Sequence, residues 1–208
     1  MKEYRLSPDM AGGFDEYDNG NGSLMRILPL LFYLLEKPVH ERFAITRQVS
    51  SITHGHIRSV IACFYYLEYA RQILYGKNKF EVYHNLQMRV PTFLASLSIP
   101  PVEIAIFDRL FNQNIFELTE EKIKSSGYVL HTLEASIWCL LTTDHYKGAV
   151  LKAVNLGEDT DTTSAVTGGL AGLLYGLGEI SNHWLLQISR YSDIEDLAVR
   201  FAHKLTNP

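Results

Sequence analysis

Apolar residues recur at helical spacing through most of the chain, and this periodicity is the feature that most constrains the fold. The strict alternation of apolar and polar residues that is typical of strands is almost absent. The segments with helical texture are SLMRILPLLFYLLE (with Pro29 kinking it or marking its first turns), HERFAITRQVSSI, HIRSVIACFYYLEYARQILYG, 79–96, 101–111, VLHTLEASIWCLL, HYKGAVLKAVNL, TDTTSAVTGGLAGLLYGL and about 192–205. Such a succession, joined by short connections, predicts an all-α domain.

The chain length and charge narrow the organisation and the partners. With 208 residues, of which 47% are hydrophobic, the sequence predicts one domain, 1–208, around a single core. Residues 1–22 are rich in Gly, Asn and Asp, which predicts a loop-rich opening segment. The net charge of -4 offers no strongly basic field, so we do not expect nucleic acid as a partner.

The cysteines and the absence of targeting signals favour a cytoplasmic protein. Cys63 and Cys139 lie in apolar stretches without CxxC spacing, which predicts buried free thiols rather than a disulfide or a zinc site. The opening residues MKEYRLSPDM lack the apolar stretch of a signal peptide. No uninterrupted apolar run of about 20 residues indicates a membrane span, so we expect no membrane partner.

The segment Gly157–Thr163 concentrates oxygen-bearing side chains. In a continuous helix Asp159 and Asp161 would point roughly 200° apart, so they converge only if a helix begins here with Asp159 at or before its cap. Thr162 would then lie one turn above Asp159. Such a helix start gathers hard oxygen ligands suited to Mg²⁺, Mn²⁺ or Ca²⁺. Plain helix capping explains the same residues equally well, because Asp and Thr are favoured at caps.

Glycines recur every four residues in the helix predicted to follow, at Gly168, Gly172 and Gly176, with Gly169 beside them. Each interior glycine costs a helix about 1 kcal/mol relative to Ala. Close backbone packing of this face against another helix offsets that cost, and it would bring the acidic helix start deep into the domain. A membrane dimer face is the alternative reading of such spacing, but the segment is short and flanked by acids.

Three further segments are candidates for ligand contacts. In the Asn19–Ser23 segment, glycines let backbone N–H groups approach an anion such as a diphosphate just before a helix, and a plain turn capped by Ser23 is the alternative. His54 could contact a ligand from a loop, or it could be a surface or capping residue. Tyr128, which follows Gly127 at a helix start, could stack on a base or ribose, or it could belong to the core.

Together and in this order, the phrases GNGSLMRILPL, SSITHGHIRSVIAC, SGYVLHTLEASIW and AVNLGEDTDTTSAVTGGLAGLLYG resemble the ADP-ribosylglycohydrolase family, which includes the dinitrogenase reductase-activating glycohydrolase. The resemblance implies a compact all-α fold and a binuclear Mg²⁺ (sometimes Mn²⁺) centre. It also implies hydrolysis of the glycosidic bond that joins ADP-ribose to a protein side chain or small molecule. Carried over by position, Asp159, Asp161 and Thr162 are metal ligands, while the loop of Asn19, Gly20, Asn21, Gly22 and Ser23 surrounds the diphosphate and His54 contacts the ligand. Gly127 and Tyr128 complete the set of substrate-binding candidates.

The amino-terminal metal motifs of the family do not occur in this sequence. Family members begin with a Gly-Asp-Ala-x-Gly type segment followed by Thr-Asp-Asp, and this chain contains no Asp-Asp pair. Each Mg²⁺ takes about six oxygen ligands, so one Asp-x-Asp-Thr cannot hold two ions firmly. We therefore expect a domain truncated at its amino terminus, weak or absent Mg²⁺ binding, and impaired hydrolysis of ADP-ribosylated substrates.

Three interpretations of the chain stay open. It is a working hydrolase whose missing ligands are replaced or supplied by another chain, a catalytically silent protein that binds an ADP-ribose-like nucleotide or a protein partner, or a structural helical domain that retains the motifs. A truncated domain also exposes apolar surface where the absent helices would pack, which predicts self-association.

Overall fold

The computed structural model describes residues 7–206, and this range is built from helices. In chain order the α-helices are α1 (Leu30–Leu34), α2 (Val39–Ser51), α3 (Ile57–Leu74), α4 (Lys79–Ala95), α5 (Pro101–Ala105), α6 (Asp108–Phe111), α7 (Val129–Leu141), α8 (Tyr146–Asn155), α9 (Thr160–Tyr175), α10 (Asn182–Leu185) and α11 (Tyr191–Thr206). Two isolated bridges are the only β-type pairing in the described range. The all-α prediction is confirmed. Residues 1–6 of the predicted loop-rich segment and residues 207–208 lie outside the described residues.

Helix α3 forms the centre of the domain because its sequence is apolar on nearly every side. Fourteen of its 18 residues are buried, and it packs against α2, α4, α7 and α9. Its buried acid, Glu68, accepts two hydrogen bonds of 2.5 and 2.7 Å from the Arg42 guanidinium of α2. This pairing is needed because an unpaired buried charge is strongly destabilising. Because α3 also contacts α7 and α9, its position determines where these two helices pack.

The glycine face of α9 is contacted by side chains rather than by a helix backbone. A Cβ at Gly169 would lie 2.6 Å from the Tyr66 hydroxyl, and a Cβ at Gly168 would lie 3.3 Å from the Tyr146 hydroxyl. The Tyr66 hydroxyl also donates to the carbonyl of Val166 at 2.9 Å. The glycines therefore make room for large side chains of α3 and α8, which corrects the expected backbone-to-backbone packing.

The first segment predicted as one buried helix is divided at Pro29. A 3₁₀ turn covers Leu24–Arg26, and α1 begins only after Pro29, which has no N–H to donate. The Leu30 N–H donates three residues back, to the Ile27 carbonyl at 3.0 Å, so the chain turns there instead of continuing an α-helix. The predicted 101–111 stretch is likewise divided, into α5 and α6.

The two cysteines are buried and unpaired, as the sequence predicts. Burial raises the pKa of the Cys63 thiol to about 11 and that of the Cys139 thiol to about 12, so both stay protonated at neutral pH. Among the helices of the described range, none combines the length and the apolarity that crossing a bilayer requires.

Glu134 of α7 is a buried acid with one oxygen unpaired. Its Oε2 pairs with Nη1 of Arg109 at 2.9 Å, whereas its Oε1 is buried without a hydrogen-bond partner among the described residues. Burial raises the pKa of Glu134 to about 7, against the opposing effects of the Arg109 and Lys124 charges.

We predict that Glu134 makes the fold less stable as the pH rises from about 5 to about 7.5. The unfolded chain releases this proton near the ordinary value of 4.5, whereas the folded chain holds it until about pH 7. The folded state therefore binds more protons in this window, and the free energy of unfolding falls as the pH rises. Urea unfolding at these two pH values measures the free energy of unfolding. Between them, this free energy should fall by on the order of 2 kcal/mol less in the variant Glu134→Gln than in the unchanged protein. An equal loss in both proteins would contradict the prediction.

Candidate functional site

The Asn19–Ser23 loop is held against the start of α7. Gly20 forms an isolated antiparallel bridge with Tyr128, and the Asn21 N–H donates to the Gly127 carbonyl at 3.0 Å. Two segments that the sequence marks separately as ligand-contacting are thus joined through their backbones. They form one continuous surface at the amino-terminal end of α7.

The side chain of Asn21 connects this loop to both α7 and α9. Its Nδ2 donates to Oγ1 of Thr132 at 2.8 Å and to Oδ2 of Asp159 at 2.7 Å. Asn21 is only 8% exposed, so its hydrogen bond to Thr132 is buried, whereas the one to the half-exposed Asp159 is partly buried. A Cβ at Gly127 would lie 3.4 Å from the same Asp159 oxygen. The carboxylate therefore lies against the loop that carries the substrate-binding candidates.

Asp159 occupies the N-cap position of α9, directly after a left-handed turn. Gly157 has a φ of 81° and Glu158 a φ of 53°. The Asp159 N–H donates to the Ser125 carbonyl at 3.1 Å, and its carbonyl accepts from the Thr163 N–H at 3.1 Å, which starts the helix. Its carboxylate accepts a hydrogen bond from the Asn21 side chain at 2.7 Å, and hydrogen bonding with the Thr162 backbone also lowers its pKa, so the carboxylate contacts both the loop and the helix start.

The three predicted metal ligands lie next to one another at this helix start. Burial raises the pKa of the Asp159 carboxyl, but hydrogen bonds with the side chains of Asn21, Thr162 and Asp161 outweigh it, and the pKa lies below its ordinary value. Thr162 is buried, whereas Asp161 is exposed. The helix start thus presents an ionised carboxylate beside a second acid and a hydroxyl, and their roles as metal ligands stay predictions.

His54 lies over the glycines of the same loop. A Cβ at Gly22 would come within 2.8 Å of its Cε1, and a Cβ at Gly20 would lie 3.3 Å from its Nε2. Burial, assisted by the Arg26 charge, lowers the pKa of His54, so the ring is neutral at neutral pH. The residue that caps α3 is His56, not His54. The close approach of the His54 ring therefore leaves no room for a side chain at Gly22 and little room for one at Gly20.

A cavity of about 320 Å³ opens between the loop and the start of α7. This volume is in the range that suits a small ligand. The lining residues are Glu16, Tyr17, Asn19, Gly20, Gly127 and Tyr128. Four of them are predicted substrate-binding residues. Glu16 and Tyr17 are missed by sequence reasoning because no local pattern distinguishes them from the other polar and aromatic residues of the opening segment.

Arg58 supports one wall of this cavity. Its guanidinium pairs with Glu103 at 2.6 Å and with Glu16 at 3.1 Å. The ring of Tyr128 packs edge to face on His131, with the centroids 5.1 Å apart. Tyr128 is half-buried, so part of its ring belongs to this packing and part lines the cavity.

Ser23 differs from the other members of its loop. It is fully buried, accepts a hydrogen bond from the Cys63 thiol at 3.4 Å, and makes no capping hydrogen bond with its own turn in the described range. The structure thus places Ser23 behind the loop, on the side of the core. The candidate ligand-contacting surface is formed by the other residues of the loop.

The oxygen donors of Asp159, Asp161 and Thr162 fit part of the coordination shell of one Mg²⁺ or Mn²⁺. Within residues 7–206 no group of three or more His, Cys, Asp or Glu side chains is arranged to hold a metal ion. Two ions would together take about a dozen ligands. The described residues therefore do not fit the complete binuclear centre that the resemblance implies.

Comparison with known proteins gives one family for almost the whole chain. The sequence profile of ADP-ribosylglycohydrolase matches residues 2–208. The ADP-ribosylarginine hydrolase Tri1 of Serratia proteamaculans (strain 568) is 29% identical over 180 residues, which are 86% of this chain and 45% of that protein. The ADP-ribosyl-[dinitrogen reductase] glycohydrolase of Rhodospirillum rubrum is 28% identical over 189 residues, covering 90% of this chain and 57% of the relative.

Solved structures give the same result. The structure of an ADP-ribosylglycohydrolase-related protein complex superimposes with a TM-score of 0.74 at 29% identity, covering 90% of this chain and 61% of that one. The chain spans about half the length of the curated relatives it matches. Since the profile match, the relatives and the helical architecture agree, the chain belongs to the ADP-ribosylglycohydrolase family.

Proposed function

We propose that this chain provides the nucleotide-binding cleft and one side of the metal site of a glycohydrolase that releases ADP-ribose from a modified protein or small molecule. The observation that carries the proposal is the hydrogen bond from Asn21 to Asp159, because it joins the loop that we propose for the diphosphate to an acid that we propose for the ribose. The names of the relatives, which describe hydrolases of ADP-ribosylarginine and of ADP-ribosyl-dinitrogen reductase, support this substrate class.

The proposed reaction is the hydrolysis of one glycosidic bond. Water adds to the anomeric carbon of the ribose, the bond from that carbon to the acceptor nitrogen or oxygen breaks, and the acceptor leaves with a proton. The diphosphate binds in the cavity between the loop and the start of α7, which Gly20 and Gly127 line. The ionised Asp159 accepts a hydrogen bond from a ribose hydroxyl and orients the sugar.

Asp159, Asp161 and Thr162 hold one side of a divalent-ion site in this proposal. The remaining ligands are either supplied from outside these 208 residues or absent. In a complete site, a bound ion supplies polarisation of the ribose hydroxyls and activation of water. Without those ligands, we expect the chain to bind the cation weakly and to turn over slowly.

The second candidate function is that of a catalytically silent protein that binds an ADP-ribose-like nucleotide or a protein partner. A difference between the cavity and the predicted metal site favours this second function. The cavity beside Tyr128 is formed by this chain alone, whereas the described residues contain no group of three or more His, Cys, Asp or Glu side chains that could hold a metal ion. Nucleotide binding depends on the first feature and turnover on the second, so the two functions separate experimentally.

We predict that the chain binds at most one Mg²⁺, weakly, and releases little or no ADP-ribose from modified protein. Asp161→Ala should abolish the remaining Mg²⁺ binding, because it removes one of two carboxylates. Asp144→Ala should leave it unchanged, since Asp144 lies beyond the far end of the 13-residue α7, roughly 20 Å from the site. Calorimetric Mg²⁺ titration beside a turnover assay provides the measurement. Two tightly bound Mg²⁺ ions together with steady turnover would show that the metal site of this chain is complete.

We also predict that co-expression with a segment carrying the Thr-Asp-Asp motif raises both Mg²⁺ affinity and turnover. The added carboxylates would supply the ligands that Asp159 and Asp161 cannot. Asp161→Ala in the reconstituted protein should remove the gain. If Mg²⁺ binds tightly after reconstitution but ADP-ribose is still not released, the silent-binder function is favoured over the hydrolase.

The glycines of the loop give a graded test of nucleotide binding. We predict that Gly22→Ala weakens ADP-ribose binding by about tenfold or more, because its Cβ would lie 2.8 Å from the His54 ring and displace it. Gly20→Ala, at 3.3 Å, should have a smaller effect, and Gly178→Ala, with open space around the Cβ, should have none. Calorimetric titration with ADP-ribose measures all three. Equal affinities of the three variants for ADP-ribose would show that the loop does not take part in binding.

A further inference from the structure

Helix α11 carries an apolar stripe that the rest of the described chain leaves partly uncovered. Ile194, Leu197, Ala198, Phe201 and Leu205 recur at the three- and four-residue spacing of one helix face. Ile194 is 53% exposed and Leu197 is 58% exposed, although an apolar helix face is normally buried. The stripe therefore lacks part of the packing partner that its pattern requires.

The stripe forms one wall of an apolar groove. Leu28, Pro29 and Phe32 form the opposite wall, and the groove between the walls has a volume of about 440 Å³. The two walls meet where the rings of Phe32 and Phe201 pack edge to face, with centroids 6.1 Å apart. Every residue that lines the groove is apolar. A groove of this kind suits the apolar face of another amphipathic helix.

The charged residues that flank the stripe indicate that the helix covering it is a second copy of α11. Asp193 stands at the start of α11 and Lys204 near its end, and at about 100° per residue the two lie roughly 20° apart around the helix axis, on the same flank of the stripe. When two identical helices pack antiparallel, the same flanks face each other in opposite directions. Asp193 of one copy then meets Lys204 of the other, and the contact occurs twice. In a parallel twofold pair the same flanks lie on opposite sides of the contact, so Asp193 and Lys204 would not meet across it.

We infer that a second copy of this chain covers the stripe, with the two α11 helices packed antiparallel about a twofold axis near residues 198–199. Asp193 and Lys204 make the two ends of the surface self-complementary, as an isologous interface requires, and Arg200 on the same flank is paired with Asp196 of its own helix at 2.9 Å. A 16-residue helix is only about 24 Å long, and stable interfaces usually bury about 1,200 Å² or more, so the α1 wall of the groove must take part. Asp193 also pairs with the exposed Arg190 at 2.5 Å, a surface contact that contributes little and yields readily.

The first experiment is sedimentation velocity of the whole chain across a wide concentration range. We expect a reversible monomer–dimer equilibrium, which Leu197→Glu weakens by about tenfold or more because it places a charge in the apolar contact. Val199→Glu is the matched control, since Val199 is an equally exposed apolar residue, 52% exposed, on the opposite face of the same helix. Circular dichroism confirms that both variants remain folded. A monomer at every concentration overturns the inference, and so does an equal effect of the two variants.

A charge exchange then tests the antiparallel pairing itself. Asp193→Lys and Lys204→Asp should each weaken the dimer, and the double variant should restore it. The two positions are 11 residues and roughly 16 Å apart along one helix, so they cannot pair within a single copy. An equal mixture of the two single variants should also form a heterodimer. A double variant no tighter than the singles, or singles no weaker than the wild type, would rule out this arrangement.

Discussion

The candidate site depends on one buried amide, the side chain of Asn21. Both hydrogens of its Nδ2 are used, one on the Thr132 hydroxyl and one on the Asp159 carboxylate. Losing either contact would leave a polar group unpaired in a shielded place, which costs about 1–3 kcal/mol. An Asp in place of Asn21 would set a second carboxylate against Asp159 in place of a donor. The amide therefore helps to fix the distance between the glycine loop and the first turn of α9, beside the backbone hydrogen bonds that join the loop to α7 and Asp159 to Ser125.

Local chemistry explains which parts of this arrangement could be predicted from the sequence. The start of α9 could be, because Gly157 and Asp159 carry the turn and cap preferences that begin a helix where they stand. The hub role of Asn21 could not, since its two partners are 111 and 138 residues away. The same limit applies to Glu16, whose place at the cavity depends on Arg58, 42 residues later. Pro29 lies between these two cases. The sequence predicts a kink or a helix start at this proline, but it does not predict that the residues before it form a separate 3₁₀ turn.

The core is organised independently of this site. Helix α3 is buried along most of its length, and its one buried acid is neutralised by Arg42 rather than by any candidate ligand. Side chains of Tyr66 and Tyr146 occupy the space that the α9 glycines leave, so that helix is packed along its length whatever binds at its start. The family fold is thus carried by apolar area distributed over many residues, each of which contributes a small share.

This difference in physical basis lets fold and activity separate in one chain. Burial is a sum over a large area, so the loss of a few contacts weakens the fold without abolishing it. A divalent cation instead needs most of a coordination shell at fixed short distances, and the loss of a few ligands weakens its binding sharply. The proposed nucleotide cleft lies between these limits, because backbone groups and a shaped cavity would supply its contacts. We therefore expect turnover to be the property most sensitive to missing contacts, nucleotide binding to be less sensitive, and the helical fold to be the least sensitive.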